Sequence, residues 1–281
     1  MKFNNKFKYL ILAVINFIFS GYNFKSSSSS GYVALEENNL ILISLITMLL
    51  VVIPVIFMTF FFVFKYRESN IYAKYNPNWS FSSKIEIIIW IIPILIVLFL
   101  SSLSWFSSHK LDPRKELFYN TKPPIEIEVV SLDWRWLFIY PKYKIATINE
   151  LVFPVNNEIK FNITSNSVMN SFFIPSLGSQ IYSMPGMKTC LHLIANKPGK
   201  FNGFSANYSG RGFSNMNFAV KITNDNDKFL SWIKNIQHKN NYLNDYLFFK
   251  NISMPNEDYS IKYFSNVVPG LFNKIVNKFN K

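Results

Sequence analysis

Two long apolar segments constrain the fold of this chain more than any other feature. Residues 40–64 contain no charged side chain, and residues 85–106 contain only one, Glu86. A helix of about 20 apolar residues is long enough to span a bilayer, so each segment predicts a transmembrane helix. Pro54 and Pro93 lie inside the two segments. Proline is tolerated in membrane helices where neighbouring groups satisfy the freed carbonyl.

The short segment between the apolar runs predicts how the chain is oriented. Residues 65–84 are polar, with Glu68 as the acid among the basic residues Lys65, Arg67, Lys74 and Lys84. Short loops rich in lysine and arginine stay on the cytoplasmic side of the membrane. We therefore predict a cytoplasmic loop at 65–84, a two-helix hairpin, and an extramembrane domain after Phe106.

The N-terminal residues resemble a targeting segment. Residues 1–21 combine a basic start with a short apolar run, so they predict a signal-like segment, either cleaved or kept as an anchor. The sequence around Tyr22 resembles a lipoprotein processing box with tyrosine in place of the acylated cysteine, which leaves no thiol to acylate. Residues 22–39 include five consecutive serines, which predict a flexible linker.

Beyond the apolar segments the hydrophobic pattern changes to a period of two. Ile125, Ile127 and Val129 alternate with Glu126 and Glu128, and similar alternation recurs to about residue 224. Short half-buried strands at this spacing predict an all-β sandwich or barrel over residues 107–224. Residues 225–281 are rich in aromatic residues and lysine, and we predict short helices there.

Charge and metal-binding side chains exclude several classes of function. The net charge is +13, but the lysines are scattered and no nucleic-acid fold signature accompanies them, so the charge indicates attraction to anionic lipid and not a nucleic-acid partner. The single cysteine, Cys190, excludes an internal disulfide framework. His109, His192 and His238 are far apart and show no metal-ligand spacing.

The segment 166–218, which follows the two apolar runs, resembles subunit II of the haem–copper oxidases, and the resemblance covers residues 31–281. In the cytochrome c oxidases of that family the β domain is a cupredoxin, a Greek-key sandwich that holds a binuclear copper centre. Its ligands are one His followed by Cys-x3-Cys-x3-His-x2-Met, with a Glu between the cysteines that contributes its backbone carbonyl.

This sequence keeps the ligand spacing and loses every ligand except the methionine, which is retained as Met216. Asn170 stands at the first His position, and the later positions are occupied in order by Ser205, Asn207, Ser209, Phe213 and Met216. A mixed-valence copper pair needs soft bridging thiolates and imidazole nitrogens, which serine, asparagine and phenylalanine cannot supply. We therefore predict no metal and no catalytic residue in this chain, and we interpret Met216 as a core residue.

The resemblance is closest to the quinol-oxidising branch, in particular over residues 162–184 and 74–80. It implies a non-redox subunit of a complex that oxidises ubiquinol, reduces oxygen to water and translocates protons. It also implies haem and copper in a catalytic subunit I, further subunits III and IV, and a bacterial inner membrane with the β domain in the periplasm.

Three other residues acquire roles from the resemblance. Trp134 and Trp136 match the aromatic segment below the copper centre of the cytochrome c branch, and without copper we predict packing and docking. Glu86 matches the acid at the mouth of one proton-uptake channel. The alternative is that Glu86 is an interfacial residue at the start of a helix, where the helix dipole favours its negative charge.

Two other functions remain as alternatives. One is a stand-alone copper or electron-carrier protein, against which the residues at 170, 205, 209 and 213 argue. The other is a membrane-tethered interaction domain unrelated to respiration, which co-purification would distinguish from an oxidase subunit.

Overall fold

The computed structural model describes residues 29–73, 77–117, 123–243, 246–256 and 259–280. The predicted signal-like segment and Tyr22 lie outside these residues. The chain divides into two compact units, one formed by Asn38–Asp112 and the other by the residues up to Glu37 together with Pro113–Lys281.

Two helices carry the apolar segments, α1 at Tyr32–Lys65 and α2 at Ser83–Lys110. Both are long and apolar enough to cross a membrane. Each is longer than its apolar run because polar residues can continue a helix beyond the hydrocarbon core, where water satisfies their side chains.

A flexible linker was predicted at 22–39, but the described residues at the start of α1 are hydrogen-bonded to the β domain. The amides of Ser30 and Gly31 donate to the carbonyl of Ser176 at 2.8 and 3.1 Å, and a carboxylate oxygen of Glu37 accepts from the amide of Ser179 at 3.2 Å. Gly31 also pairs with Ala195 as an isolated bridge. These bonds give the backbone of residues 30–37 fixed partners, which serine composition alone does not reveal.

The all-β prediction is confirmed, with thirteen strands among the described residues. They are β1 Ile125–Leu132, β2 Arg135–Tyr140, β3 Ile145–Ile148, β4 Glu150–Pro154, β5 Glu158–Ser165, β6 Asn170–Phe173, β7 Gln180–Ser183, β8 Thr189–Ile194, β9 Gly199–Ser205, β10 Asn217–Thr223, β11 Tyr242–Leu243, β12 Lys262–Phe264 and β13 Asn266–Val267. The order is β12-β3-β2-β1-β5-β8 in one sheet and β4-β10-β9-β6-β7 in the other, and β11 pairs with β13.

Aromatic side chains fill the space between the two large sheets. Phe172 and Phe218 from one sheet stack with ring centroids 5.2 Å apart, and Phe138 from the other sheet lies 5.1 Å from Phe218. Tyr140 connects the sheets through its hydroxyl, which accepts from the amide of Val152 and donates to its carbonyl. The two inner faces therefore form one sandwich core.

The C-terminal region is more than the short helices that we predicted for 225–281. Helices α3 Asn226–Gln237, α4 Tyr246–Ile252 and α5 Leu271–Asn277 are present, but β12 joins the first sheet beside β3. The outer face of that sheet carries Val130, Leu137 and other apolar side chains that pack against Phe249, Phe272 and Ile275. Burial of this second apolar face explains why the region docks on the sandwich instead of standing apart.

Candidate functional site

The positions that match the lost copper ligands lie together at one end of the second sheet. Asn170 begins β6, Ser205 ends β9, and a loop returns to Met216 just before β10. Backbone bonds fix this arrangement, because the amide of Ser205 donates to the carbonyl of Met216 at 3.2 Å and that of Ala206 donates to Ser171 at 3.0 Å. The structure thus brings Asn170, Ser205 and Met216 to one end of this sheet.

The centre of this frame contains a buried hydrogen-bond network. The hydroxyl oxygen of Ser205 lies 3.0 Å from the Oδ1 of Asn170 and 3.2 Å from the carbonyl oxygen of Asn207, so its single proton has two acceptors. Asn170 also donates through Nδ2 to the carbonyl of Val168 at 3.2 Å. Asn170 and Ser205 are both buried. Their polar groups therefore satisfy one another without an ion.

The remaining ligand positions lie around this network. The hydroxyl of Ser209 is 3.9 Å from the sulfur of Met216, which is buried in the core as predicted from its alternation with Phe218. Phe213 opens a short 3-10 turn and packs edge-to-face on Tyr208, with ring centroids 5.6 Å apart. Phe213 thus fills its position with an apolar ring that offers no ligand atom.

Trp134 packs against the loop that contains Ser209 and Gly212. Its indole nitrogen donates to the carbonyl of Ser209 at 3.2 Å. Its ring lies against the backbone of Gly212, where an added Cβ would come within 2.4 Å of the ring atom Cδ2. Trp134 itself adopts a positive φ of 63°. Glycine is required at 212 because the indole occupies the space of any side chain.

The docking role that we predicted for Trp136 is wrong for this side chain. Trp136 is wholly buried, with its ring 5.3 Å from that of Phe172 and 5.7 Å from that of Phe218. Its position in β2 points it into the sandwich core, so it can only pack there. The two tryptophans differ because Trp134 lies in the turn before β2, whereas Trp136 lies within the strand.

The donor set at this site does not fit a copper pair. It consists of amides, hydroxyls, a backbone carbonyl and one thioether, and it lacks the thiolates and imidazoles that such a centre needs. No cluster of three or more His, Cys, Asp or Glu occurs within the described part of the chain. Cys190 belongs to β8, and burial raises the pKa of its thiol, so it is not a ready thiolate.

Glu86 lies in the first turn of α2 and its side chain is exposed. Its amide donates to the carbonyl of Ser82 at 3.1 Å. A carboxylate in the first turn faces the unsatisfied amides of the helix N-terminus, which favour its negative charge. This position is compatible with both roles considered for Glu86.

The sequence does not indicate the surroundings of two acidic residues of the β domain, Glu158 and Glu128. Glu158 is partly buried and His192 is buried, and they lie 2.7 Å apart, Oε1 to Nδ1. The same oxygen of Glu158 accepts from the amide of Leu117 at 2.8 Å. Desolvation by burial raises the pKa of Glu128 to about 7, against the lowering effect of Lys188. Alternation with Ile127 and Val129 predicted an outward face for Glu128, so the sequence carried no signal that it is partly buried.

Family models match two parts of the chain. Residues 142–223 match the periplasmic domain of cytochrome c oxidase subunit II, and residues 243–281 match an aromatic-rich motif of the same oxidases. The first match contains every position of the lost copper site. The second coincides with the region that covers the outer face of the first sheet.

Curated relatives match nearly the whole chain. Cytochrome bo(3) ubiquinol oxidase subunit 2 of Buchnera aphidicola subsp. Schizaphis graminum is 56% identical over 99% of this chain and 96% of that protein. The protein of the same name from Buchnera aphidicola subsp. Baizongia pistaciae is 54% identical over 96% and 93%. That from Pseudomonas putida is 48% identical over 93% and 82%.

Proposed function

This chain belongs to the cytochrome bo(3) ubiquinol oxidase subunit 2 family, and we propose that it serves its oxidase as a subunit without a redox centre of its own. The observation that carries this proposal is the buried contact between Ser205 and Asn170 at 3.0 Å. Two positions that bind copper in the cytochrome c branch are here hydrogen-bonded to each other.

The path of the electrons follows from this proposal. Without a copper centre in the β domain, electrons cannot pass through this chain from a soluble cytochrome. Ubiquinol is a lipid-soluble donor that can deliver its electrons directly to haem and copper in the catalytic subunit. The oxygen reduced to water there accepts these electrons together with protons. The quinol substrate and the metal centres thus belong to the complex and not to this chain.

The role of this chain is then structural. We assign α1 and α2 to contacts with catalytic subunit I and membrane lipid, and we assign subunits III and IV to the same assembly. The complex would lie in the bacterial inner membrane with the sandwich in the periplasm. The apolar surfaces of α1 and α2 support membrane contacts, because no residue in their most apolar windows is buried within this chain.

Glu86 is the candidate for proton uptake by this chain. Ionisable residues within apolar membrane segments are costly, so they tend to be kept for a function. A carboxyl group near the start of α2 can exchange protons with water on one side and with a polar path on the other. On this proposal Glu86 collects protons from the cytoplasm for the catalytic subunit.

The test is purification of the chain with a C-terminal tag from membranes in mild detergent. A reduced-minus-oxidised spectrum, a metal count and quinol-dependent oxygen uptake are then measured on the same sample. We expect haem bands in the co-purified complex, quinol-dependent respiration and no mixed-valence copper signal. A chain that purifies alone with its own copper would overturn the proposal and favour an electron carrier.

A further inference from the structure

A cavity lies over the outer face of the second sheet. Its volume is about 880 Å³, within the roughly 300–1,000 Å³ typical of small-molecule sites. Strands β9 and β10 supply Asn202, Phe204 and Asn217, and the segment before β12 supplies Tyr259 and Ile261.

The described lining of this cavity contains no charged side chain. It contains four asparagines at 149, 202, 215 and 217. Each amide offers two donor hydrogens and one acceptor oxygen. Such a lining provides no charge to pair with an anion or a cation, and it suits a neutral ligand that both donates and accepts hydrogen bonds.

Asn149 adds a buried donor that lacks a partner. It is 3% exposed, and its Nδ2 has no hydrogen-bond partner among the described residues. Rotation of the amide cannot satisfy this group, since Oδ1 accepts from the amide of Trp136 at 2.9 Å and the backbone is held by bonds to Trp136 and Ala219. The hydroxyl of Tyr259 is likewise buried without a described partner.

One wall of the cavity is apolar and flat. Phe204 is partly exposed and packs edge-to-face on Phe173, with ring centroids 5.4 Å apart. Ile261 and Pro175 add apolar surface to the lining of the cavity. A pyranose ring has the matching pattern, because its C–H face packs on an aromatic ring while its hydroxyl edge pairs with amides.

We propose that this cavity binds an uncharged saccharide. The asparagine amides would pair with its hydroxyl or acetamido groups, and Phe204 would pack on a sugar ring. A long apolar ligand is a poorer match, because it would strip water from the amides of Asn202 and Asn217 without replacing the hydrogen bonds. The site is independent of electron transfer and of Glu86.

The test uses the purified oxidase complex in lipid nanodiscs, since glycoside detergents would compete for the site. The probe is the β-1,4 disaccharide of N-acetylglucosamine, detected by saturation-transfer NMR and titrated for affinity. We expect binding with a Kd of about 1 mM or tighter. The variant Asn202→Ala/Asn217→Ala should weaken binding by about tenfold or more, and Phe204→Leu should also weaken it.

A matched control lies on the same two strands. Lys200 and Lys221 face each other two pairs further along from Asn202 and Ala219 and are exposed. The variant Lys200→Ala/Lys221→Ala should bind the disaccharide as the unmodified complex does. No transfer to the unmodified complex, equal transfer to the asparagine variant, or loss of binding in the lysine variant would each overturn the saccharide site.

A longer oligomer of the same sugar distinguishes two sources of the ligand. Tighter binding of the hexamer than of the disaccharide indicates a strand of polymeric glycan, and equal binding indicates a free small saccharide. Both results support the saccharide site. Quinol-dependent oxygen uptake is measured on the same nanodiscs, so a failure of sugar binding is distinguishable from a failure of the oxidase assignment.

Discussion

The hydroxyl of Ser205 donates a hydrogen bond of 3.0 Å to the amide oxygen of Asn170, and both side chains are buried at the end of the second sheet. By the family resemblance, these two positions are predicted to match metal ligands of copper-binding members. A buried polar group without a partner costs about 1–3 kcal/mol. Asn170 therefore depends on Ser205 for a donor to its Oδ1, whereas Ser205 keeps a second acceptor in the carbonyl of Asn207.

The first prediction concerns this dependence. Ser205→Ala removes a donor to Asn170 and should lower the free energy of unfolding by about 1–3 kcal/mol. Asn170→Leu should also lower it, because the carbonyl of Val168 loses its donor. The double variant should cost less than the sum, with a coupling of about 1 kcal/mol. Pulse proteolysis of the tagged chain in urea measures this. Ser214→Ala, exposed in the same loop, is the control, and strict additivity would contradict the contact.

A second prediction is that the ligands can be restored. Asn170→His, Ser205→Cys, Ser209→Cys and Phe213→His together should give a chain that binds copper, because the backbone bonds of Ser205 and Ala206 hold the frame and Met216 is already present. Copper content and a mixed-valence electron paramagnetic resonance signal are the measurements. The control keeps Ser209, so only one thiolate is available. A folded four-fold variant with no more copper than this control would disprove the prediction.

The residues of this site could be predicted from spacing, and their contacts could not. The sequence spacing of positions 205, 209, 213 and 216 predicted that these residues belong to one loop, and they do so in the structure. Nothing in the sequence showed that Ser205 pairs with Asn170 or that Trp134 fills the space beside Gly212. Those relations depend on three-dimensional proximity between segments far apart in the chain.

The fold shows the same division. Apolar length predicted α1 and α2, alternation predicted the strands, and the family resemblance is confirmed by relatives that match nearly the whole chain. The C-terminal region was only partly predicted, since β12 is a strand of three residues whose place is fixed by pairing with β3. The start of α1 was missed because its partners lie in the loop at Ser176–Ser179.

The third prediction tests Glu86 as a proton-uptake group. Glu86→Gln should lower quinol-dependent oxygen uptake by about tenfold, less than the ~10²–10⁴ of a general acid–base residue because water still reaches the channel mouth. Glu86→Asp, which keeps a carboxyl group, should recover much of the rate. Glu68→Gln in the preceding loop is the control. A Gln variant with normal haem content and the full rate would leave Glu86 as an interfacial residue only.

A fourth prediction concerns pH. Burial raises the pKa of Glu128 to about 7, from 4.5, so between these values the folded chain binds more protons than the unfolded one. The stability contributed by this group is complete below about pH 4.5 and is lost as pH rises through 7. Relative to Glu128→Gln, the unmodified chain should lose about 1–3 kcal/mol by pH 8, after allowance for solvent screening.

The measurement for Glu128 is pulse proteolysis in urea between pH 4 and pH 8. The comparison at pH 4 is the internal control, because both side chains are then uncharged and the two stabilities should agree. A gap between the two variants that stays constant with pH would contradict the raised pKa. The charge on Lys188 lowers the pKa of Glu128, so Lys188→Ala should raise that pKa further and extend the loss of stability to higher pH.

The last prediction concerns the hydrogen-bonded pair of Glu158 and His192. One carboxylate oxygen of Glu158 lies 2.7 Å from His192 and accepts from the amide of Leu117, while the amide of His192 donates to Pro113 at 2.9 Å. These bonds fasten the segment 113–117 to β5 and β8. Hydrogen bonds to charged groups contribute about 1.5–3 kcal/mol, so Glu158→Ala should raise the open fraction of this segment about tenfold to a hundredfold.

The rate of trypsin cleavage measures the opening of this segment, because Lys115 is an exposed cleavage site within it. Cleavage after Lys115 in Glu158→Ala should accelerate by the same factor when opening is fast relative to cleavage. Glu158→Gln retains an acceptor for Leu117 and should be cleaved at an intermediate rate. The control is Glu126→Ala, which breaks an exposed ion pair of 3.8 Å with Lys160 and should change little. Equal cleavage of the Glu158→Ala and Glu126→Ala variants would show that the hydrogen-bonded pair does not hold the segment.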